Sequence, residues 1–295
     1  MATPFKRIGL FGRTGTPGVK ETLQSLIDYL LPLGCDICVE LETADALKMT
    51  DLPIISREQL SLQADLLIVI GGDGSLLHAA HTAVDQKIPV LGINRGSLGF
   101  LTDILPTALD QVGMILQGHY QIEDRFLLTA SVSQPGQASQ EDNALNEVAI
   151  MPAAFPHMIE FEIYINDEFV CSQHADGIIA ATPTGSTAYA MSGGGPILHP
   201  ALNAIVLVPM FPHSLNSRPI VVPGDAEVTV LISPDSQTVP RLSCDGHPCI
   251  SIPGGSKITL HKKPQPLQLV HPIDYSYYKA LRSKLHWGKK LTHGE

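Results

Sequence analysis

One carboxylate sits inside a run of glycines at Gly71-Gly72-Asp73-Gly74-Ser75. Glycines in such a turn allow positive φ and close approach of a ligand to the backbone. Where the turn joins a strand to a helix, amide N–H groups and the helix N-terminus face an anion such as phosphate. The carboxylate itself repels phosphate. Asp73 therefore caps the helix, holds a cation or takes a proton, and the residues alone leave the three roles open. Two known phosphate motifs are excluded. The stretch is one glycine short of G-x-G-x-x-G and does not follow the first strand, and G-x-x-x-x-G-K-[ST] occurs nowhere.

Three further stretches carry chemistry. Asn146-Glu147 lies inside a predicted strand, Leu145–Ile150. Neighbouring strand residues point to opposite faces, so at most one of the two faces the core. The pair is either a strand end with an exposed Glu or a hydroxyl-binding pair at a ribose. The stretch from His174 to Pro196 holds five hydroxyls between Thr182 and Tyr189, with Asp176 ahead of them. Small hydroxyl side chains around a glycine turn line a polar pocket at little steric cost; the alternative is a Ser/Thr-capped helix after a proline turn. Ser243-Cys244-Asp245-Gly246-His247 reads as an ordinary turn. Arg95 is a candidate phosphate ligand or a surface residue. The twelve histidines show no metal-ligand spacing: His78 and His81 are three apart on one helix, and no H-E-x-x-H occurs. The absence of G-x-S-x-G removes support for a Ser-His-Asp hydrolase.

These residues need a scaffold. The apolar run Ala64–Ile70 reads as a buried strand leading into Gly71, and Leu76–Val84 as the helix behind it. Arg7–Gly12, Cys35–Leu41 and Ile88–Ile93 read as further strands. Val19, Leu23, Leu26, Ile27 and Leu30 recur at helical spacing, and Pro32 and Gly34 end that helix. Residues 43–60 stay unassigned. Alternating strands and helices predict a doubly wound, Rossmann-like parallel sheet. Ligands bind such sheets at the carboxyl ends of the strands, so Gly71–Ser75 and Asn94–Phe100 should be neighbours.

Near Tyr120 the pattern changes. Arg125–Val132, Ala144–Met151, Ile159–Ile165, Gly177–Ala181, Ile205–Val208, Val228–Ile232, Lys257–Leu260 and Leu267–Val270 read as short strands, with Gln134–Asp142 a polar loop. The expectation is an α/β domain over residues 1–123 and 271–295, and a mostly β domain over 124–270. The helical tail, Tyr275–Lys290, returns to the first domain.

Composition narrows the partners. Of 295 residues, 44% are hydrophobic, enough for a sizeable core, and the formal charge is −10 from 29 acidic and 19 basic residues. Such a chain is poorly suited to nucleic acid, and no apolar run approaches the ~20 residues of a membrane span. No signal-peptide pattern is read at the N-terminus. Five scattered cysteines, with one C-x-x-C at Cys35 and Cys38, suit core thiols in a reducing cytoplasm rather than zinc ligands.

Taken in order, Gly-Gly-Asp-Gly-Ser (71–75), Asn-Arg-Gly-Ser-Leu-Gly-Phe-Leu-Thr (94–102), Asn146-Glu147 and Asp-Gly-Ile-Ile-Ala-Ala-Thr-Pro-Thr-Gly-Ser-Thr-Ala-Tyr (176–189) resemble bacterial NAD kinases across nearly the whole chain. The tail, His271–Tyr278 and Leu285–Gly288, is similar to the proteobacterial branch. Gly-Gly-Asp-Gly alone is shared with phosphofructokinases and diacylglycerol-type lipid kinases; Thr182–Tyr189 is the more specific element. The resemblance implies transfer of the ATP γ-phosphate to the 2′-hydroxyl of the adenosine ribose of NAD. With few basic side chains near the motifs, Mg²⁺ or another divalent cation must supply much of the charge neutralisation. No residue is assigned as a metal ligand; Asp73 either takes the proton late or holds the hydroxyl and metal. The resemblance also implies Asp73 as the catalytic carboxylate, with Gly72 and Gly74 shaping the phosphate turn. Phe100 would lie against adenine, and Asn146 and Glu147 would hold ribose hydroxyls and adenine. Asp176 would bind the nicotinamide end. Thr187, Ala188, Tyr189, Ala190, Met191 and Ser192 would complete the pocket, with Tyr189 stacking. His78, His157, His174 and His247 complete the dinucleotide set. A homo-oligomer, dimer or tetramer, is implied as well. Three residues depart from the family pattern: Ser75 for the commoner Thr, His174 for Arg and His247 for Gln. A sugar-phosphate or lipid kinase, or a non-enzymatic nucleotide sensor of the same fold, is the alternative. The sensor would have no need of Asp73.

Overall fold

The computed structural model describes residues 4–13, 15, 17–95, 99–134, 136–153, 157–236, 238–247 and 250–287. The chain forms two compact units, Met1–Asp124 with Leu267–Glu295, and Arg125–Pro266.

The first unit is built from β1 (Arg7–Gly12), α1 (Val19–Leu30), β2 (Asp36–Glu40), α2 (Leu41–Leu47), β3 (Ile54–Ile55), α3 (Arg57–Gln63), β4 (Leu66–Gly71), α4 (Asp73–Asp85), β5 (Val90–Asn94), α5 (Leu109–Leu116) and β6 (Tyr120–Arg125). The chain leaves for the second unit, in which twelve strands form among the described residues, and returns as β19 (Leu267–Pro272) and α7 (Tyr277–Lys284). The sheet order is β3-β2-β1-β4-β5-β19-β6. β1 pairs in parallel with β2 and β4, and β5 with β4 and β19. Every residue of β4 is buried, as an apolar run between two helical layers requires. Val19, Leu23, Leu26, Ile27 and Leu30 of α1 enter the core beside Ile8, Leu10, Ile68 and Ile70. Strand order reverses between β1 and β4, so the ligand crevice of this topology lies off Gly12 and Gly71.

Three helices escaped the sequence reading. Residues 43–60 contain most of α2 and the start of α3. Glu40 caps α2 by accepting from the Thr43 N–H at 2.8 Å, and α3 opens with a reciprocal Ser56–Gln59 box. The Ser-x-x-Gln spacing was the available signal. α5 was missed as well. Leu267–Val270, assigned to the second domain from sequence, instead belongs to the first unit's sheet, between β5 and β6. Of the expected helical tail, Tyr277–Lys284 is helix, and residues 288–290 lie outside the described residues.

The second unit consists of β7 (Leu128–Ser133), β8 (Gln140–Ala144), β9 (Glu147–Pro152), β10 (Ile159–Ile165), β11 (Glu168–Ala175), β12 (Gly177–Ala181), α6 (Tyr189–Ser192), β13 (Ala204–Met210), β14 (Ile220–Pro223), β15 (Val228–Ile232), β16 (Pro240–Cys244), β17 (Ile250–Ser251) and β18 (Lys257–Lys262). Two six-stranded sheets form, β11-β10-β15-β18-β7-β8 and β14-β13-β12-β9-β16-β17. Alternate residues of both contribute to one core, among them Leu128, Val148, Phe161, Ile178, Leu207 and Val230. The opposite face of the second sheet is also covered: Ile179, Ala181, Val206 and Val208 pack against Ala190 and Leu198. Of the Thr182–Pro196 stretch, Ala190 is thus covered within its own unit. Residues 134–142, expected as loop, include part of β8. Leu145 and Asn146 precede β9 rather than lying in it.

Candidate active site

β4 runs straight into the glycine turn. Gly71 pairs with Asn94 at the end of β5, and the Arg95 N–H donates to the Gly71 carbonyl at 2.9 Å. The expected neighbours are therefore in contact. The N-cap of α4 is Gly72, whose N–H donates to Ser75 Oγ at 3.3 Å. Asp73 is the first helical residue and not the cap.

The Asp73 carboxylate turns instead to the segment after β5. Oδ2 accepts from the Phe100 N–H at 2.9 Å; Oδ1 accepts from the Leu101 N–H and the Thr102 hydroxyl, both at 3.1 Å. Thr102 is fully buried and also accepts from Asn94 Nδ2 at 2.7 Å. Gly99 is required here, since a Cβ on it would fall on Asp73 Oδ1. Gly72 and Gly74 keep the turn open: a Cβ at Gly72 would meet nothing within 4 Å, and at Gly74 only the Arg13 guanidinium. His78, on the same helix, packs its ring 5.8 Å from that of Phe11.

Directly after Thr102, Asp103 Oδ2 lies 3.0 Å from Nδ1 of the buried His271, and Glu123 Oε2 lies 3.3 Å from its Nε2. The imidazole stacks on Tyr275 at 3.8 Å. Burial pulls His271 down, but hydrogen bonds and charges from Asp103 and Glu123 outweigh it and hold the ring above its ordinary value.

In the second unit, Asn146 and Glu147 are held from two sides. Thr182 donates its N–H to the Asn146 carbonyl at 2.9 Å and its hydroxyl to the Leu145 carbonyl at 2.5 Å. Gly185 packs so tightly on Asn146 that a Cβ would fall on the Asn146 carbonyl oxygen. From the other side, Asp245 accepts from the amides of Leu145, Asn146 and Glu147. The Ser243–His247 segment, read as an ordinary turn, is thus an anchor. Glu147 accepts from the Tyr189 amide, while its Oε2 is buried without a hydrogen-bond partner. Burial, helped by the Asp245 charge and opposed by that amide, pushes the Glu147 carboxyl up to about 7.

The hydroxyls of the Thr182–Tyr189 stretch do not stand open as a polar lining. Thr184 pairs with the buried Arg125 at 3.2 Å, Ser186 donates to the Pro183 carbonyl at 2.6 Å, and Thr187 donates to the Thr184 carbonyl at 3.1 Å. These bonds hold the turn and leave the half-buried Thr187 and Ala188 and the exposed Tyr189 at its tip. Ala190 is buried; Met191 is half-buried and Ser192 exposed. Asp176 donates its amide to the Met210 carbonyl at 2.9 Å. His174 packs edge-on to His213, with ring centroids 5.5 Å apart, and His157 is exposed. His247 lies in the Asp245 turn, with its amide on the Cys244 carbonyl at 2.9 Å.

Comparison with known proteins fits these two clusters to one family. A model of the ATP-NAD kinase N-terminal domain matches residues 8–120, and one of the ATP-NAD kinase C-terminal domain matches residues 145–272. The chain is 53% identical to an NAD kinase of Coxiella burnetii, covering 98% of this chain and 96% of that protein. It is 50% identical to one of Pseudomonas syringae, covering 98% of each. Among solved structures, yeast NADH kinase complexed with NADH has a TM-score of 0.88 at 23% identity, over 99% of this chain and 94% of that one. An NAD kinase from Archaeoglobus fulgidus in complex with ATP has a TM-score of 0.72 at 23% identity, over 96% and 100%. The two structures share the fold, and the two curated proteins share about half their residues over nearly the full length. The chain belongs to the NAD kinase family.

Proposed function

We propose that the protein transfers the γ-phosphate of ATP to the 2′-hydroxyl of the adenosine ribose of NAD, giving NADP and ADP. The hydrogen bonding of Asp73 carries this reading. An ionised carboxylate offers about four acceptor sites. Phe100, Leu101 and Thr102 occupy three of them and fix the group, and the remaining site, on Oδ2, is available to a substrate hydroxyl. The ribose oxygen bonds to the γ-phosphorus as the bond to the β,γ-bridging oxygen breaks, and the hydroxyl proton passes to Asp73. Carboxylates are weak bases toward alcohols, so this proton moves late. The loose transition state then places most of the demand on positioning.

In this reading Asn146 and Glu147 hold ribose hydroxyls and adenine, and the unpartnered Oε2 of Glu147 supports it by offering a buried acceptor. Phe100 lies against adenine, Tyr189 stacks and Asp176 binds the nicotinamide end, with His174 among the remaining dinucleotide contacts. His78, His157, His247 and Thr187–Ser192 complete the contacts. Among the described residues no group of three or more His, Cys, Asp or Glu is placed to hold a metal ion. In this reading the divalent cation arrives on the ATP phosphates, where magnesium takes most of its ligands from phosphate and water. The cation supplies charge neutralisation during transfer. We place the enzyme in the cytoplasm, whose reducing conditions suit the four free cysteines among the described residues. We also infer a homo-oligomer, dimer or tetramer. Leu215 and Phe211, 92% and 74% exposed, stand in the connection leading to the edge strand β14 and offer apolar surface to a second copy.

The direct test is incubation with ATP, Mg²⁺ and NAD, followed by an NADP-specific enzymatic readout. ATP consumption with a lipid or sugar phosphate but no NADP would replace this reading with the other kinase class.

A further inference from the structure

Asp245 lies about a hundred residues beyond Asn146-Glu147, yet it bonds to both of them and to Leu145 ahead of them. Its Oδ2 accepts from the Leu145 amide at 2.7 Å, and its Oδ1 from the amides of Asn146 at 2.8 Å and Glu147 at 3.0 Å. Its own N–H returns a bond to the Glu147 carbonyl at 3.0 Å. To do so Asp245 takes a positive φ of 51°, uncommon outside glycine and tolerated best by Asn and Asp. Its two oxygens are thus engaged by three amides in succession.

We infer that Asp245 is a positioning residue of the dinucleotide site: it sets the backbone of Asn146 and Glu147 and places its negative charge beside the Glu147 carboxyl. This rests on the reading that Asn146 and Glu147 contact NAD. The mechanism follows from the bonds. Leu145 and Asn146 precede β9, so the strand ladder does not fix them. Thr182 and Gly185 hold the carbonyl side of Asn146, and Asp245 holds the amide side. With both in place the direction of the Asn146 and Glu147 side chains is determined before any ligand arrives. The charge acts second. Asp245 supports burial in favouring the protonated Glu147 carboxyl. Burial and the charges of Asp142 and Asp245 push the Cys244 thiol up, and Tyr189 meets Glu147 through its amide. A ribose hydroxyl donates best to an ionised carboxylate, so NAD affinity rises with pH through the Glu147 titration.

The test compares Asp245→Asn, Asp245→Glu and Glu147→Gln, by steady-state kinetics and by calorimetric titration with NAD over a range of pH around 7. In Asp245→Asn, KM for NAD is expected to rise about tenfold with kcat changed less than about threefold, as for one misplaced amide set. The pH midpoint of NAD affinity should move below about 7, because a repelling charge is gone. Loss of packing alone would leave that midpoint in place. Asp245→Glu keeps the charge but not the reach, so KM should rise while the midpoint stays; it also serves if Asp245→Asn does not fold. Glu147→Gln should abolish the midpoint and raise KM. If Glu147→Gln leaves NAD affinity and its pH profile unchanged, the assignment of Glu147 to the dinucleotide fails. If Glu147→Gln acts as expected but both Asp245 variants bind NAD normally with an unmoved midpoint, the assignment stands and the role of Asp245 is refuted.

Discussion

Replacing Asp73 by Asn perturbs catalysis and anchoring together, and the two effects differ in size. Both carboxylate oxygens are acceptors in the native protein, and Asn has one acceptor and one donor. If its oxygen takes the Oδ1 place, the Leu101 and Thr102 bonds survive and the side-chain NH₂ meets the Phe100 N–H. If it takes the Oδ2 place, the NH₂ meets the Leu101 N–H. Either way one backbone donor is left facing a donor, at a cost of about 1–3 kcal/mol if it stays buried. The melting temperature should therefore drop by a few degrees. Phe100 should shift, and KM for NAD should rise modestly. Loss of the proton acceptor is a larger effect, worth about 10²–10⁴ in kcat.

Thr102→Val is the matched control. It removes the hydroxyl that joins Asp73 to Asn94 and loosens the same segment, but it leaves the carboxylate. Its stability loss should be similar, about 1–3 kcal/mol, with kcat falling by less than about tenfold. kcat, NAD affinity and melting temperature should be measured on both variants side by side. Equal losses of kcat in the two would reduce Asp73 to an anchor for residues 100–102. A near-native kcat in Asp73→Asn would remove it from the chemistry altogether.

Four other outcomes are expected. His271 is held above its ordinary value, so its ion pairs stabilise fully below about pH 6.5, and that contribution is lost as pH rises through its folded value. The gap in melting temperature between wild type and His271→Gln should accordingly shrink toward alkaline pH, and a constant gap would contradict the pairing. Gly185→Ala must displace the Asn146 carbonyl, so it should raise KM for NAD and cost roughly 1–3 kcal/mol in denaturant unfolding; a neutral variant would show that this close packing is absent. Excess EDTA should abolish NADP formation, with Mg²⁺ or Mn²⁺ restoring it, and full activity in EDTA would disprove the cation-bearing ATP. Light scattering should report an oligomer that Leu215→Asp weakens; an active wild-type monomer at assay concentration would rule out that assembly.

Elements whose evidence is local were legible in the sequence. β4, the glycine turn and α4 follow one another within twenty residues, and an apolar run followed by glycines admits few readings. The edge strands were not. β8 carries Gln140, Glu141, Asp142 and Asn143 because it borders its sheet and faces water, and polarity of that kind protects an edge. The same polarity makes it read as loop. α2 and α3 have seven residues each and owe their starts to Glu40 and Ser56, so periodicity had little length in which to show. β19 reads correctly as a strand, yet its neighbours lie more than a hundred residues earlier, and nothing local says which sheet it joins.

The candidate site shows the same division in sharper form. Thr182, Thr184, Ser186 and Thr187 looked like a polar lining because hydroxyls, glycine and proline cluster there. Their partners are chiefly backbone carbonyls and amides of their own turn and of Leu145, with Arg125 on Thr184. Asp245 looked idle because a turn of Asp and Gly is common and its three amides lie 98 to 100 residues away in the chain. A residue type announces what a side chain is able to bond, but buried polar groups take the partner that the fold brings near. Asp73 stands between these cases. Its glycine setting marked it as chemical, and the structure adds that Phe100, Leu101 and Thr102 are bonded to it. The carboxylate assigned to the reaction therefore also orders the segment bearing Phe100, and no substitution at Asp73 alters one role without touching the other.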